Sequence, residues 1–406
     1  MVNNMEYEKL GDYCDITSSK RVFANQYVSD GIPFYRSREI IEKKESKDIS
    51  EPLFISKELY DTFKRKFGVP QKGDLLLTSV GTLGIPYIVK DEVFYFKDGN
   101  LAWMKNFKNG LDSRYLYYWL NSKFGKESLI VRAIGSSQAS LTIDILKKYK
   151  LFIPSIKTQN KIVDILSAYD DLIENNNRRI ALLEKAAQEL YKEWFVRFRF
   201  PGHETVKFEN GLPVGWNVKK LADYGKIETG KTPSTEVAEN YGEDIMFVKT
   251  PDMHGNMFTI QTGEYLSQQG HKCQPKKLLP PNSIMVSCIG TGGVVSINVE
   301  PAHTNQQINS IIIDNPVFLE WLFFTCKSLK ETIELFGATG ATMTNLSKGK
   351  FEKLKVIEPT EKLILLFHDK AQPFFEEIKS LMYQNQNLTK QRDLLLPRLM
   401  SGKLEV

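Results

Sequence analysis

The sequence predicts an α+β protein in which two similar mixed α/β domains are separated by two long antiparallel helices that form a coiled coil. Three observations predict this fold. Short segments of the first half recur in the second half in the same order, a long heptad pattern follows each half, and the two heptad patterns lie at a constant offset. We place the first domain at residues 1–155, the first helix at 156–199, the second domain at 200–359 and the second helix at 360–406.

The composition is that of an ordinary globular protein. The chain has 406 residues, of which 42% are hydrophobic and 25% charged, so it is long enough for two or three domains with real cores. The formal net charge is +5. This excess is small for the length, so it permits a nucleic-acid partner without requiring one.

Cysteine usage and hydropathy exclude several other classes of protein. Cys14, Cys273, Cys288 and Cys326 are scattered and do not cluster with the five histidines, so we expect neither a zinc site nor a disulfide framework. The first ten residues lack the apolar core of a signal peptide. No apolar run reaches the ~18 residues of a membrane span. We expect a cytoplasmic protein that does not contact a membrane.

The internal repeat begins near the start of each half. Leu10–Tyr13 recurs as Leu221–Tyr224, and Lys72–Thr82 recurs as Pro281–Thr291. Each member of the second pair reads as an apolar strand that ends in a turn of small residues with a Gly-Thr step.

The end of each half repeats in the same way. A polar, glycine-containing loop at Gly135–Ser140 matches Gly337–Thr342, and a short strand ending in proline occurs at Lys150–Pro154 and again at Lys355–Pro359. Identity between the halves is low. The halves therefore share a fold more than a surface, which predicts two related but different ligands.

A narrow heptad stripe follows each half. Ile162 and Phe367 open the two stripes 205 positions apart. The first stripe contains Ile162, Leu166, Tyr169, Ile173, Asn176, Ile180, Leu183, Ala187, Leu190 and Trp194. The second contains Phe367, Ala371, Phe374, Ile378, Leu381, Asn385, Leu388, Arg392, Leu395 and Leu399. A single amphipathic helix usually packs on a local core, but a long, narrow and duplicated stripe favours a coiled coil.

Polar and proline residues interrupt the stripes at few positions. Asn176 and Asn385 fall near the middle of the seam, where a buried amide fixes the register at some cost in stability. Pro373 should kink the second helix or mark its true start, and Pro397 predicts fraying near its end.

The helices have the length of a spacer. Lys157 to Trp194 would span about 57 Å, which is the length of about 15 base pairs of duplex. An antiparallel pair would put one domain at each end, related by a pseudo-two-fold axis such as a DNA duplex also has.

Several segments carry a family resemblance. They are Pro154–Ile162, Trp194–Pro201, Asn210–Trp216, Leu221–Tyr224 and Arg392–Leu404. Together, and in this order, they closely resemble the conserved regions of specificity subunits of type I restriction-modification systems. The resemblance covers essentially the whole chain.

The resemblance implies a sequence-specific DNA-binding subunit that takes part in defence against foreign DNA. Each domain would be a target recognition domain that reads one half of a bipartite site, and the helices would set the unread spacer. Two methyltransferase (modification) subunits and two restriction/translocase subunits would be the partners. The chain itself would be non-catalytic and would bind no cofactor, because S-adenosylmethionine, ATP and Mg²⁺ would be used by the partners.

Gly225–Thr232 satisfies the phosphate-loop pattern, and Ile311–Asp314 mimics the second motif of such ATPases. A phosphate loop needs a buried strand before it and a helix immediately after Lys-Thr. Here Pro233 disfavours the helical conformation at Thr232. We therefore interpret the segment as a polar loop in which Lys231 contacts phosphates, and keep an ATPase as an alternative.

The candidate DNA contacts rest on side-chain chemistry. Lys and Arg pair with phosphates or guanine, Asn and Gln pair with adenine, and small polar loops let backbone amides approach the duplex. In the first domain the candidates are Ser19, Lys20, Arg21, Arg36, Arg38, Arg132, Ser136, Ser137 and Gln138. In the second they are Thr229, Lys231, Thr232, Lys249, Thr250, Thr339 and Thr342. Each is equally compatible with a solvated surface residue.

The seam residues expected to hold the helices together are the central members of the two stripes. They are Ile162, Leu166, Ile173, Asn176, Leu183, Leu190, Phe374, Ile378, Asn385, Leu388 and Leu395. A coiled-coil scaffold whose domains bind proteins remains a third interpretation. Steep salt dependence of binding would distinguish a DNA reader from it.

Overall fold

A computed structural model describes residues 7–44, 49–133, 140–337 and 344–406. The chain divides into two compact units, which are described one at a time. Unit 1 comprises Met1–Ile173 and Asn387–Val406, and unit 2 comprises Glu174–Gln386. Each unit therefore contains one mixed α/β domain and a part of both long helices.

The described residues of unit 1 form ten strands. They are β1 Tyr7–Lys9, β2 Asp15–Thr17, β3 Tyr27–Val28, β4 Ile32–Tyr35, β5 Leu53–Ile55, β6 Leu75–Thr78, β7 Pro86–Ile88, β8 Tyr95–Phe96, β9 Leu101–Lys105 and β10 Lys150–Phe152. Its helices are α1 Ser37–Lys44, α2 Lys57–Phe67, α3 Ser113–Asn121, α4 Lys123–Ala133, α5 Ile143–Lys147 and the first part of α6 Ile156–Tyr191.

The strands of unit 1 form two four-stranded sheets and a ribbon. The sheet orders are β2-β9-β6-β7 and β3-β5-β4-β8, and β1 pairs with β10. The apolar run of β6 is buried on both faces because its alternate side chains enter different cores. Leu75 and Leu77 pack with Trp119 of α3, whereas Leu76 packs with Trp103 and Tyr35.

The beginning of α6 and the end of α12 (Glu361–Met400) complete the core of unit 1. Ile162 and Leu166 from α6 share this core with Leu399 from α12. Beside them, the Arg392 guanidinium lies 2.6 Å from an Asp170 carboxylate oxygen. Arg392, one of the two polar members of the second heptad stripe, is thus paired with a carboxylate.

Fifteen strands lie in the described part of unit 2. They are β11 Phe208–Glu209, β12 Leu212–Pro213, β13 Asn217–Lys220, β14 Gly225–Thr229, β15 Tyr241–Gly242, β16 Ile245–Val248, β17 Phe258–Thr259, β18 Tyr265–Leu266, β19 Ile284–Ser287, β20 Ile289–Gly290, β21 Val295–Asn298, β22 Ala302–Thr304, β23 Ile308–Ile313, β24 Thr344–Asn345 and β25 Lys355–Glu358. A π-helical turn, Lys192–Val196, extends α6. The other helices are α7 Thr250–Met253, α8 Gln268–Lys272, α9 Leu319–Ser328, α10 Lys330–Gly337 and α11 Lys348–Glu352.

The sheets of unit 2 repeat the topology of unit 1. The orders are β14-β23-β19-β21-β17 and β15-β18-β16-β22, and β13 pairs with β25. Apart from the additional edge strand β17 and the two-stranded pairs β11-β12 and β20-β24, every strand has a counterpart at the same position in unit 1. The central strand β19 again serves two cores, because Ile284 and Val286 enter one and Met285 the other.

The two long helices run antiparallel within unit 2. Asn176 donates a 3.0 Å hydrogen bond to Asn385, Arg179 pairs with Glu377, and the Trp194 ring lies 5.8 Å from that of Phe367. Residue numbers thus rise along α6 as they fall along α12.

The burial of the seam follows the predicted stripes. Among the predicted seam residues, Ile162, Leu166, Asn176 and Ile378 are buried, and the others are half-buried. On α12 the stripe is wider than predicted, because Phe375 and Leu396 are more buried than their neighbours Phe374 and Leu395.

One of the two alternatives for Pro373, that it marks the start of the second helix, was wrong. The helix α12 begins at Glu361, before Pro373, and continues past Pro397 to Met400. Pro373 therefore does not mark the start of this helix. Both prolines are exposed, and the packing of the other face holds the helix despite the missing backbone donors.

Candidate nucleic-acid interface

The end of β2 and the loops beside it form a polar cluster in unit 1. Backbone hydrogen bonds join three segments there, since the Ser79 amide donates to the Asn100 carbonyl (2.8 Å) and the Leu141 amide donates to the Ser79 carbonyl (2.9 Å). Ser18 and Ser19 follow β2, and the Ser19 hydroxyl donates to the Phe96 carbonyl at 2.7 Å. These loops surround a shallow cavity of about 280 Å³.

The same scaffold recurs in unit 2. The Cys288 amide donates to the Gln307 carbonyl (2.7 Å), and the Leu346 amide donates to the Cys288 carbonyl (2.9 Å). Ser79 thus corresponds to Cys288 and Asn100 to Gln307. The tight turn beyond each central strand is also held alike, because the Thr78 hydroxyl of one unit and the Ser287 hydroxyl of the other accept from a backbone amide at 2.9 Å and 2.8 Å.

The side chains on these matching scaffolds differ. In unit 1 Arg21 pairs with Asp98 at 2.9 Å. In unit 2 the Thr232 hydroxyl donates to Gln306 at 2.6 Å, and Thr229 donates to Asn309 at 2.6 Å. One cluster therefore offers charged groups where the other offers amides and hydroxyls, which are the groups that distinguish bases.

The structure brings Ser19, Lys20 and Arg21 to the first cluster. Lys20 is exposed, and its ammonium lies 5.4 Å from the centre of the Phe67 ring at the end of α2. That contact places the ammonium over the ring face while the side chain remains exposed.

Arg36 and Arg38 lie on or beside α1 and are already paired. Arg36 binds the buried carboxylate of Glu39 through more than one nitrogen, and this hydrogen bonding raises the pKa of Arg36. Arg38 pairs with Glu42 and Glu51. Their use as DNA contacts stays a prediction, and any phosphate would compete with these carboxylates.

Arg132 lies in the last turn of α4. Its guanidinium is 5.3 Å from the Tyr149 ring and donates to the Ser128 carbonyl at 2.7 Å. The predicted contacts Ser136, Ser137 and Gln138 lie outside the described residues, as do Thr339 and Thr342 of the second domain.

The second cluster receives Thr229 from the end of β14, and Lys231 and Thr232 from the segment that follows it. The Lys231 side chain is exposed, and its backbone amide donates to the Thr304 carbonyl at 2.9 Å. Gly230 is required here, since a Cβ would lie 2.2 Å from the Thr304 and Asn305 carbonyl oxygens.

Lys249 and Thr250 lie at the start of α7 beside the same segment. Lys249 pairs with Glu264, and the Thr250 hydroxyl is 3.4 Å from the Gln307 side chain. Thr250 is buried. It is therefore placed to support the Gln307 side chain and not to contact a ligand directly.

The phosphate-loop pattern does not form a phosphate loop. Gly225–Thr229 is itself the strand β14, and the next helical turn, Ala238–Asn240, begins well after Thr232. A phosphate-binding helix would have to start at Lys231-Thr232. The geometry therefore does not support the ATPase alternative.

Sequence reasoning missed the loop that completes each cluster. Asp98–Asn100 precedes β9, and the amide-rich run Asn305–Gln307 precedes β23. Both segments donate or accept hydrogen bonds at the cluster. The amide-rich run was visible in the sequence, but only the pairing of β9 and β23 with β2 and β14 brings it to the site.

Two other features bear on the class of protein. Among the described residues, no group of three or more His, Cys, Asp or Glu side chains is arranged to hold a metal ion. No helix in the described part of the chain combines the length and hydropathy needed to cross a bilayer.

Comparison with known proteins identifies the family. The model of the type I restriction modification DNA specificity domain matches residues 3–185 and 213–363. The HindI specificity subunit of Haemophilus influenzae is 33% identical over 337 residues, covering 68% of this chain and 73% of the relative. The MjaIX specificity subunit of Methanocaldococcus jannaschii is 31% identical over 350 residues, covering 82% and 78%.

A solved structure agrees at the level of fold. The S subunit of a type I restriction-modification system from M. genitalium superposes over 98% of this chain and 96% of its own, with a TM-score of 0.59 and 15% identity. The family match, the two curated relatives and the duplicated domains with their antiparallel helices lead to one conclusion: this chain belongs to the type I restriction-modification specificity subunits and carries two target recognition domains.

Proposed function

We propose that this chain is the non-catalytic subunit that selects the DNA target of a type I restriction-modification complex. Each domain reads one half of a bipartite site through its loop cluster, and the paired helices set the length of the unread spacer. The observation that carries the proposal is the pair of loop clusters, which share one hydrogen-bonded scaffold but present different polar side chains.

The chemistry of each cluster supports a division of labour. Exposed cations such as Lys20 and Lys231 suit phosphates, which position a protein on the duplex without reading its sequence. Asn and Gln side chains, such as Gln306, pair with adenine, and charged groups such as those of Arg21 and Asp98 pair with guanine or cytosine. Because these groups differ between the clusters, the half-sites should differ in sequence.

The partners follow from the same proposal. Two methyltransferase subunits and two restriction/translocase subunits would join the chain on double-stranded DNA. Methyl transfer and ATP-driven steps, with S-adenosylmethionine, ATP and Mg²⁺, would belong to those subunits, and this chain would bind no cofactor.

Mapping the methylated positions of the host genome, followed by footprinting of the chain with its methyltransferase on one such site, tests the proposal. We expect two short specified half-sites separated by an unspecified spacer. Replacing only the first domain with that of another specificity subunit should change one half-site and leave the other intact. A single continuous site, or protection that does not depend on sequence, would contradict the proposal.

Single lysine variants test the clusters themselves. Lys20→Gln and Lys231→Gln should each weaken binding to all sequences and lower the salt slope by about one. Lys185→Gln, an exposed position on α6, serves as the control and should change neither. Equal, salt-insensitive binding in all three variants would favour a scaffold that binds proteins.

A further inference from the structure

The ribbon that precedes each long helix repeats its side chains as well as its fold. In β1-β10, Tyr7 lies opposite Phe152 and Lys9 opposite Lys150. In β13-β25, Val218 lies opposite Ile357 and Lys220 opposite Lys355. Each ribbon thus carries an apolar pair and, two residues away, a lysine pair. We call these two surfaces the ribbon faces.

The ribbon faces point outward. Cross-strand partners and residues two apart share one side of a ribbon. The opposite side carries Leu151 in one ribbon and Val356 in the other, and both are buried. The side with the lysine pairs is therefore the solvent side.

The apolar pairs are accessible to different extents, since Phe152 is half-buried and packs against the core of unit 1. Val218 is 56% exposed and Ile357 46%. Tyr7 is 40% exposed, although its ring also lies 6.4 Å from those of Trp119 and Phe124. An exposed apolar pair beside charged side chains is a surface that a protein partner can cover.

The lysine pairs are not compensated within the described residues. Lys9, Lys150, Lys220 and Lys355 are exposed, and none of them takes part in an ion pair with another described residue. Like charges directly opposite each other on a ribbon destabilise it. The lysine pairs therefore do not stabilise the fold. They are suited to binding an external anionic group.

The repetition of these faces indicates what kind of ligand they take. The two loop clusters carry different side chains on one scaffold, as expected if each reads its own sequence. The ribbon faces instead carry the same chemistry twice. A ligand that is identical in both halves of the complex fits a repeated surface, and each ribbon leads directly into a long helix, α6 or α12.

We propose that each ribbon face docks one copy of the same protein partner, through an acidic segment of that partner that also carries an apolar side chain. This inference rests on the proposed function, in which two identical methyltransferase subunits join this chain. A phosphate backbone would satisfy the lysines but would leave the apolar pairs uncovered. Protein interfaces combine an apolar centre with a polar and charged rim.

Charge reversal at one face at a time tests the proposal. The full-length chain is prepared with Lys9→Glu and Lys150→Glu, with Lys220→Glu and Lys355→Glu, or with all four changes. Each is titrated with the purified methyltransferase subunit, and the mass of the complex is measured. The wild-type chain should bind two copies. Each double variant should keep one copy and bind the other about 100-fold more weakly, and the quadruple variant should lose both.

Matched variants separate docking from misfolding. Lys64→Glu with Lys66→Glu changes the same charge on exposed positions of α2 and should still bind two copies. Lys9→Gln with Lys150→Gln should weaken binding of the methyltransferase copy at the β1-β10 face, but less than the change to Glu does. Val218→Ser with Ile357→Ser should weaken binding of the copy at the β13-β25 face about tenfold. Thermal unfolding should be unchanged in all of them.

Two results would overturn the proposal and leave the proposed function intact. One is a quadruple variant that still binds two methyltransferase copies. The other is a variant that keeps both copies but binds non-specific duplex more weakly, which would make the ribbon faces phosphate contacts. If the wild-type chain itself binds neither the methyltransferase subunit nor a bipartite site, the proposed function fails together with the docking.

Discussion

Asn176 is a buried amide in an apolar stripe. It is 1% exposed and donates to Asn385, while Asn385 donates to Asn177 at 2.8 Å. An amide without its partner in this setting is costly, so a shift of one helix along the other would be penalised. These residues therefore define the register in which α6 and α12 pair.

Replacing one amide should cost more than replacing both. Asn176→Ala should lower the free energy of unfolding by about 1–3 kcal/mol, because Asn385 loses a partner. Asn176→Leu combined with Asn385→Leu should recover that loss, since the seam becomes uniformly apolar. Urea denaturation measures both, with the exposed Asn175→Ala as control. A double variant that is less stable than Asn176→Ala would contradict this role.

His303 is a fully buried imidazole that hydrogen-bonds to His271, with 3.0 Å between the two ring nitrogens. Burial, and to a smaller extent the neighbouring His271, lower the pKa of His303 to about 4. The folded protein therefore keeps this ring neutral at pH values where the unfolded chain protonates it.

Stability should depend on pH through this residue. The contribution of neutral His303 is fully present above pH ~6.5 and is lost as the pH falls towards 4, because the unfolded chain then binds the proton more readily. The loss should be on the order of 3 kcal/mol. Denaturation of the wild type and of His303→Gln across this pH range isolates the contribution of His303, since the variant should lack that part of the pH dependence. The exposed His254→Gln should behave as wild type.

At the level of secondary-structure elements, a charged network joins three helices of unit 1. Asp170 of α6 accepts from the Tyr118 hydroxyl of α3 and from Arg392 of α12, each at 2.6 Å. Burial and Asp170 together raise the pKa of Tyr118, so the phenol remains a donor. The end of α12 is thereby held against the start of α6 by directed bonds as well as by apolar packing.

Removing the charge of Asp170 should loosen that end of the helix. Asp170→Asn should lower the free energy of unfolding by about 1–3 kcal/mol, because the partly buried guanidinium of Arg392 loses its carboxylate partner. Asp393 also bonds Arg392 but is 57% exposed, so Asp393→Asn should cost well under about 1 kcal/mol. A double-mutant cycle with Arg392→Gln reports the coupling, and equal costs for both carboxylates would argue against the network.

For the molecule as a whole, the proposed function makes the helices a spacer. Removing seven residues from facing positions of α6 and α12 keeps the heptad phase and shortens both helices by about 10 Å. By rise alone this corresponds to about three base pairs. The tolerated spacer should change while both half-sites stay the same, as measured by methylation mapping. An unchanged spacer in a folded, active variant would refute the spacer role.

Much of the fold was predictable because it depends on periodic patterns. The match of Leu10–Tyr13 with Leu221–Tyr224 correctly marked equivalent turns, and in each the leading leucine amide bonds a carbonyl just before the last strand of the domain. The heptad stripes predicted two long helices because side chains every three to four residues share a helix face. The same reasoning allowed Pro373 to mark the start of the second helix, which is wrong, since tertiary packing outweighs a local helix breaker.

The sequence by itself determined the duplicated domains, the paired helices and the central amides, because each follows from spacing along the chain. Only the tertiary structure decided which polar residues meet. The clusters join residues such as Thr229 and Asn309, 80 positions apart, and the ribbon faces join strands from opposite ends of each domain. Such proximity depends on strand pairing over long loops, and no local pattern encodes it.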